Sequence, residues 1–303
     1  MSDRVSISID GLAAGMLLLL AAVWGGSFFF AEIALREVGP LTVVLHRVFW
    51  AMPVLFLVLR RLKLRLPTDP RSWAAFLIMG ALNNVIPFSL IFWGQVTIES
   101  GLASVLNATT GVIGAVVAGL LLADERLSAN KIAGAALGTI GVAVVMGLEN
   151  LTSLDPRNLA QWAILGAALS YSLAGVWGKI ALRGHPPLVN ATGMLVGSVI
   201  LMTPVAIVVE GPPDLALSLH VWLSLLGLAL FSTVAAYALY FAILARAGAA
   251  NLMLVTLLIP GFAILLGTLF LGETLVPRVY FGLGVTGIGL LITDGRLLAK
   301  LQG

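Results

Sequence analysis

The chain has 303 residues, of which 60% are apolar and 10% are charged, with a formal net charge of +3. Soluble domains carry about a quarter charged residues, so the composition excludes water as the main solvent. With no cysteine in the chain, disulfides, thiolate catalysis and Cys-ligated metals are excluded, and the basic residues form short clusters between apolar runs rather than a nucleic-acid-binding stripe.

A helix needs about 20 apolar residues to cross a bilayer. Ten runs meet that need: 11–31, 41–59, 73–96, 101–122, 131–148, 159–181, 188–209, 221–244, 250–271 and 278–294. The first is read as a span and not as a cleaved signal, because Asp3, Arg4 and Asp10 make a poor basic leader. The breaks between runs hold loop signals such as Gly39-Pro40, Pro67-Thr68-Asp69-Pro70, Asp155-Pro156 and His185-Pro186-Pro187.

Basic residues orient the spans. With the N-terminus inside, the cytoplasmic segments hold Arg4, Arg60, Arg61, Lys63, Arg65, Arg71, Arg126, Lys131, Lys179, Arg183, Arg246, Arg296 and Lys300. The outer segments hold only Arg36, Arg157 and Arg278. This bias predicts both termini in the cytoplasm and an even number of spans.

The chain also resembles itself. Ala31-Glu32-Ile33-Ala34-Leu35-Arg36 aligns with Gly178-Lys179-Ile180-Ala181-Leu182-Arg183, and Pro40-Leu41 with Pro187-Leu188, at a shift of 147. Asp124-Glu125-Arg126-Leu127 aligns with Gly272-Glu273-Thr274-Leu275 at 148, as do Gly119, Gly134 and Gly141 with Gly267, Gly282 and Gly289. Several matches in order at nearly one shift argue for duplication. Residues 1–150 and 151–303 then form two five-helix units, and an odd number inverts the second in the membrane. The expected fold is an all-α membrane protein of ten transmembrane helices in two inverted repeats. Many secondary transporters have this architecture, with the substrate site at mid-depth between repeats.

These residues resemble the drug/metabolite transporter superfamily, in its ten-helix EamA type. The motifs are Trp24-Gly25 followed by aromatics, Gly39-Pro40 leading to Arg47, Ser100-Gly101-Leu102-Ala103-Ser104, the Glu125 and Glu273 motifs, and the Gly-spaced fifth and tenth helices. Two positions depart from the family pattern: Val112 stands where the second half has the mid-helix Pro260, and Asp124-Glu125 replaces the usual Gly-Glu. The resemblance implies a transporter in the bacterial inner membrane, most similar to exporters of aromatic and other neutral amino acids. The alternative within the superfamily is export of another metabolite or drug class. A membrane-embedded enzyme or a channel lies outside it.

Polar groups at mid-membrane are costly unless they serve a site or join helices, so the few present can be weighed singly. Asn83 and Asn84 precede Pro87, whose ring frees a backbone carbonyl one turn earlier. They either line a cavity or join helices, and Asn107 is read the same way. His46 and Arg47 have Gly193 and Met194 as counterparts, an asymmetry that suggests a substrate role against the alternative of snorkelling. Trp24, Phe28, Tyr171, Tyr237 and Tyr240 are the candidate aromatic walls, with core packing as their alternative. Tyr171 aligns with Trp24 and is expected to face it across the axis. Pro87 and Pro260 are candidate hinges. No metal or other cofactor is expected: the three histidines lie apart, and neither an ATP phosphate loop nor a mid-depth acid is visible. That pattern favours facilitated diffusion or exchange. The expected partners are a small-molecule substrate and the lipid bilayer, with no nucleic acid. The expected state is monomer or homodimer.

Overall fold

In the computed structural model the described residues are 10–123, 128–147, 155–252 and 254–294. Glu125, Arg126 and the basic residues of both termini lie outside them. The described residues form helices and no strands: α1 Gly11–Ala34, α2 Pro40–Arg61, α3 Pro70–Gln95, α4 Ser100–Leu121, α5 Ala129–Met146, α6 Pro156–Ala181, α7 Pro187–Glu210, α8 Leu219–Gly248, α9 Val255–Leu271 and α10 Pro277–Asp294. Helices α1 to α8 are long and apolar enough to cross a membrane, while α9 and α10 are apolar but shorter. The expected run 250–271 loses its first residues because the helical chain after α8 runs on past a kink at Gly248, where φ is 77°.

The loop signals turn out to be helix starts. Proline stands at the first position of α2, α3, α6 and α7, where its missing N–H costs nothing and its fixed φ suits the helix. Asp10, Asp69 and Asp155 accept hydrogen bonds from the backbone N–H groups of Ala13, Ser72 and Asn158 at 2.8–2.9 Å, satisfying donors that the helix itself leaves open. Large side chains such as Leu120, Val208, Phe270 and Phe281 stand exposed on the outer surface of the bundle, as they must in a lipid solvent.

The packing pairs are α5 with α10, α2 with α7, α3 with α6, α1 with α8, α1 with α9, α4 with α6, α3 with α7 and α2 with α8. Shifting residue numbers by one repeat exchanges α3–α6 with α8–α1, α1–α9 with α6–α4, and α3–α7 with α8–α2. The α5–α10 and α2–α7 pairs map onto themselves. In the first of these the helices run antiparallel: Gly134 meets Gly289 and Thr293, whereas Gly141 meets Gly282 and Thr286. The glycine stripes noted in the sequence are thus consumed by helix contact inside the chain.

A Cβ at Gly141 would lie 2.3 Å from Thr286 Oγ1 and 2.7 Å from its backbone nitrogen. Replacing Gly141 by Leu is expected to destabilise the bundle by about 1–3 kcal/mol, read as a lower melting temperature in detergent. The control Gly284→Leu, at a position with nothing within 4 Å, is expected to leave the melting temperature unchanged.

Candidate functional site

Two helices widen at mid-length, at equivalent places in the two halves. In α3 the segment Ala81–Val85 is π-helical, and in α8 so is Gly227–Ala235. The first follows from Pro87, which cannot donate to the carbonyl of Asn83 and clashes with it, so the preceding turn opens. The second has no proline. There Thr233 Oγ1 donates to Leu228 O at 3.0 Å, five residues back. Widened turns release carbonyls from the helical ladder. Leu82 O accepts from Ser170 Oγ of α6 at 2.7 Å, and Ser232 O accepts from Arg47.

Arg47 is the centre of the site. It is buried, 5% exposed. Its Nε donates to Thr233 Oγ1 at 3.1 Å, Nη1 to Ser27 Oγ at 2.9 Å and Nη2 to Ser232 O at 3.2 Å. Its guanidinium carbon lies 3.8 Å from the centre of the Phe88 ring and 6.0 Å from that of Phe92, a cation–π arrangement worth about 2 kcal/mol when desolvated. Among the described residues no carboxylate pairs with it. The hydroxyls of Tyr171 and Tyr237 lie within its electrostatic reach, and Tyr237 in turn lies beside Asn84 and Asn83. Helices α1, α2, α3, α6 and α8 therefore meet at one cation.

Phe88 stands edge-on to Tyr171 with ring centres 6.4 Å apart, Trp24 packs on Tyr240 at 6.1 Å, and Tyr240 meets Phe241 at 5.4 Å. The expected Trp24–Tyr171 pair does not form. Tyr171 turns to the α3 aromatics and Trp24 to α8, because α1 packs on α8 and α6 on α3. Of the asparagine pair, Asn84 is fully buried and donates to Ser198 Oγ of α7 at 2.9 Å, so it joins helices. Asn83 stays partly open, 3.5 Å from Met194 Sδ.

Several candidates stand apart from Arg47. His46, its chain neighbour, points elsewhere: its Nδ1 accepts from Trp50 Nε1 at 3.0 Å and its ring meets Trp222 edge-on. The asymmetry with Gly193 has a packing cause, since a Cβ there would sit 2.4 Å from the Phe76 ring. Phe28 is core, and its carbonyl accepts from Gln95 Nε2 at 3.0 Å. Asn107 ends the first helical stretch of α4, which breaks at Ala108 and Thr109, and its carbonyl accepts from Thr110 Oγ1. Pro260 lies inside a continuous α-helical stretch, and α9 widens only later, at Gly267–Leu271. The sequence reading missed Ser27, Phe88, Ser232 and Thr233. Ser232-Thr233 was the available signal, as two adjacent hydroxyls inside a long apolar run.

Carboxylates bind the two halves at helix ends. Glu210 accepts from the backbone N–H groups of Leu41 and Thr42 at 3.0 and 2.8 Å. Glu273 accepts from those of Ser100 and Gly101 at 2.8 and 3.0 Å. Glu37 accepts from that of Ser218 at 2.9 Å, and Glu99 pairs with Arg157 at 2.8 Å. The first three place negative charge on the positive ends of α2, α4 and α8. Gly39 and Gly267 make room for two of them, since a Cβ at either would lie within 2.5 Å of a carboxylate oxygen.

Two cavities lie away from Arg47. One, of about 600 Å³, is apolar and sits between α4, α5 and α6, against Val112, Gly138, Met146 and Trp162. The other, of about 470 Å³, sits where α3 begins and α6 ends. Among the described residues no group of three His, Asp or Glu could hold a metal ion.

The profile of the EamA-like transporter family matches the chain twice, over residues 11–147 and 158–293. The chain belongs to this family. It is therefore a multi-pass membrane protein of a transporter family. A probable amino-acid metabolite efflux pump of Salmonella typhimurium is 27% identical, over 93% of this chain and 94% of its own length. A probable terminal-alkyne amino-acid exporter of Streptantibioticus cattleyicolor is also 27% identical, over 95% of each. Protein PagO of Salmonella typhimurium is 25% identical over 96% and 93%. One crystal structure shares the fold at a TM-score of 0.68 and 16% identity, covering 96% of this chain and 98% of its own.

The Ser218 side chain beside it and the hydrogen bond from the Ser218 backbone N–H hold the Glu37 carboxyl below its ordinary 4.5. A depressed carboxylate stabilises the fold above that ordinary value, and the contribution disappears as pH falls through the folded-state value. For this EamA-family chain the melting temperature is therefore expected to drop as pH is lowered below about 4.5. Glu37→Gln is expected to make that drop shallower in a pH series of thermal melts.

Proposed function

We propose that this EamA-family protein is a secondary transporter that exports neutral amino acids, aromatic ones among them, or similar small metabolites across the bacterial inner membrane by alternating access. The observation that carries this reading is Arg47, a buried cation with no carboxylate partner among the described residues. A guanidinium has five N–H donors, and three of Arg47's are taken by neutral oxygens of α1 and α8. Two remain, one on each Nη, and a guanidinium N–H is a strong donor to a carboxylate. Tyr237 and Asn83 offer oxygen acceptors for an amine, and Phe88, Tyr171, Trp24 and Tyr240 offer aromatic faces for a side chain.

In this reading residues 1–150 and 151–303 are the two inverted repeats, the described helices make ten crossings, and both termini face the cytoplasm. The antiparallel α5–α10 contact, the paired exchange of helix contacts and the distribution of Lys and Arg support it. The names of the relatives support an amino-acid class of substrate. In that orientation the contacts of Glu37, Glu99, Glu210 and Glu273 fall on the outer side, and the ion pair of Asp10 with Arg246 joins the same two halves on the cytoplasmic side. Opening outward separates Glu37, Glu210 and Glu273 from the helix starts they cap. The widened turns at Ala81–Val85 and Gly227–Ala235, with Pro87 and Pro260, are where the helices bend. The transporting unit is a monomer or homodimer.

The test is exchange in liposomes containing the purified protein, with labelled phenylalanine, tryptophan, threonine, methionine and a quaternary amine compared side by side. Amino-acid exchange is expected. Loss of a charge-assisted pair of about 2–3 kcal/mol should slow it about 30- to 150-fold in Arg47→Gln, with Arg47→Lys retaining part of the rate. Unchanged amino-acid flux in a well-folded Arg47→Gln protein would overturn the reading. A second expectation concerns the outer side: Glu273→Gln should raise labelling of cysteines placed at the start of α4, because the cap on Ser100 and Gly101 is weakened.

A further inference from the structure

The cavity of about 470 Å³ between the start of α3 and the end of α6 has a polar end and an apolar end. At the polar end are Arg71, Ser72, Arg183 and His185; at the apolar end are Ile78, Trp177 and Ile180. Ser72 lies in the first turn of α3, and Ile78 is six residues further along, about 9 Å deeper at 1.5 Å per residue. Ile180, in the last turn of α6, and Ile78 are 57% and 41% exposed, so the apolar end opens sideways from the bundle. A water-facing ligand pocket has no reason to be open along its greasy flank.

The walls are tied in place. Trp177 Nε1 donates to Ala75 O at 3.1 Å, pinning the indole of α6 to the backbone of α3. His185 Nε2 and Ser72 Oγ lie 3.0 Å apart, and the His185 ring rests on Phe76 with centres 6.0 Å apart. The charge at the mouth is unbalanced. Among the described residues the acid nearby is Asp69, which accepts from the Ser72 N–H with His185 in electrostatic reach. Against it stand Arg71 and Arg183, and the preceding turn adds Arg60, Arg61, Lys63 and Arg65. Two arginines above an apolar slot that faces hydrocarbon match one chemistry: an anionic headgroup with an acyl chain below it.

We propose that this cavity is a binding site for an anionic phospholipid, its phosphate between Arg71 and Arg183 and its acyl chain along Ile78, Trp177 and Ile180. The site is separate from Arg47. It bridges the start of α3 in the first half and the end of α6 in the second, so an occupied site would hold the halves together at that end.

The test uses the full-length protein in neutral detergent, with lipid adducts followed by native mass spectrometry and stability by melting temperature. Dioleoyl phosphatidylglycerol, dioleoyl phosphatidylcholine and inorganic phosphate are compared. Phosphatidylglycerol is expected to bind about tenfold more tightly than phosphatidylcholine and to raise the melting temperature, with phosphate alone doing neither. Arg71→Gln, at an exposed position whose change does not threaten folding, is expected to weaken phosphatidylglycerol binding severalfold, and Arg71→Lys to retain it. Equal binding of the two lipids, equal stabilisation by phosphate, or undiminished phosphatidylglycerol binding in Arg71→Gln would each overturn the proposal. None of these readouts depends on transport, so they stand or fall apart from the exchange assay.

Discussion

A permanent positive charge sits inside an apolar bundle, and the structure around it is arranged to make that tolerable. A charge at the centre of a bilayer costs several kcal/mol, and no carboxylate among the described residues offsets it for Arg47. Two hydroxyls, one main-chain carbonyl and the face of Phe88 do so instead. Those groups come from α1, α8 and α3, so the cation is satisfied only when both halves of the chain are docked. A neutral shell also leaves the charge unspent, which is what a binding site for an anionic group requires.

The carbonyl in that shell is available because α8 is widened. In a regular helix the Ser232 carbonyl would be engaged four residues on. In a π-helical stretch the ladder shifts, and a side chain can take its place. The same widening occurs at the matching place in α3, where Leu82 O receives Ser170. Local departure from regular helix thus supplies the polar atoms at mid-depth in a chain with few polar side chains there.

The rest of the bundle is held by two kinds of contact that do not rely on water. Glycines let backbones touch, most closely along α5 and α10 and where Gly25 meets Ile259 and Phe262. Carboxylates at helix starts satisfy N–H groups that lipid cannot. Both kinds join one half to the other, and both are geometric: a Cβ at Gly267 would displace Glu273.

Helix positions were legible in the sequence because length, apolarity and proline at helix starts are local properties. Arg47 stood out for the same reason, being a lone charge within a span. So did the disturbance before Pro87, since a missing N–H has a consequence one turn away. His46 and Asn84 were not legible. Adjacent helical residues differ by about 100° in direction, and whether each side chain meets a neighbour or an opening depends on which helix lies there. Nor was the Trp24–Tyr240 contact, because α1 packs on α8 and not on α6. The widened turn in α8 carries no proline to announce it. The sequence by itself determined the solvent, the helices, the duplication and the one charge that must be buried. Tertiary structure alone decided which neutral atoms surround that charge and which aromatic rings face it, because those contacts join residues about 20 to 190 positions apart whose proximity comes only from packing.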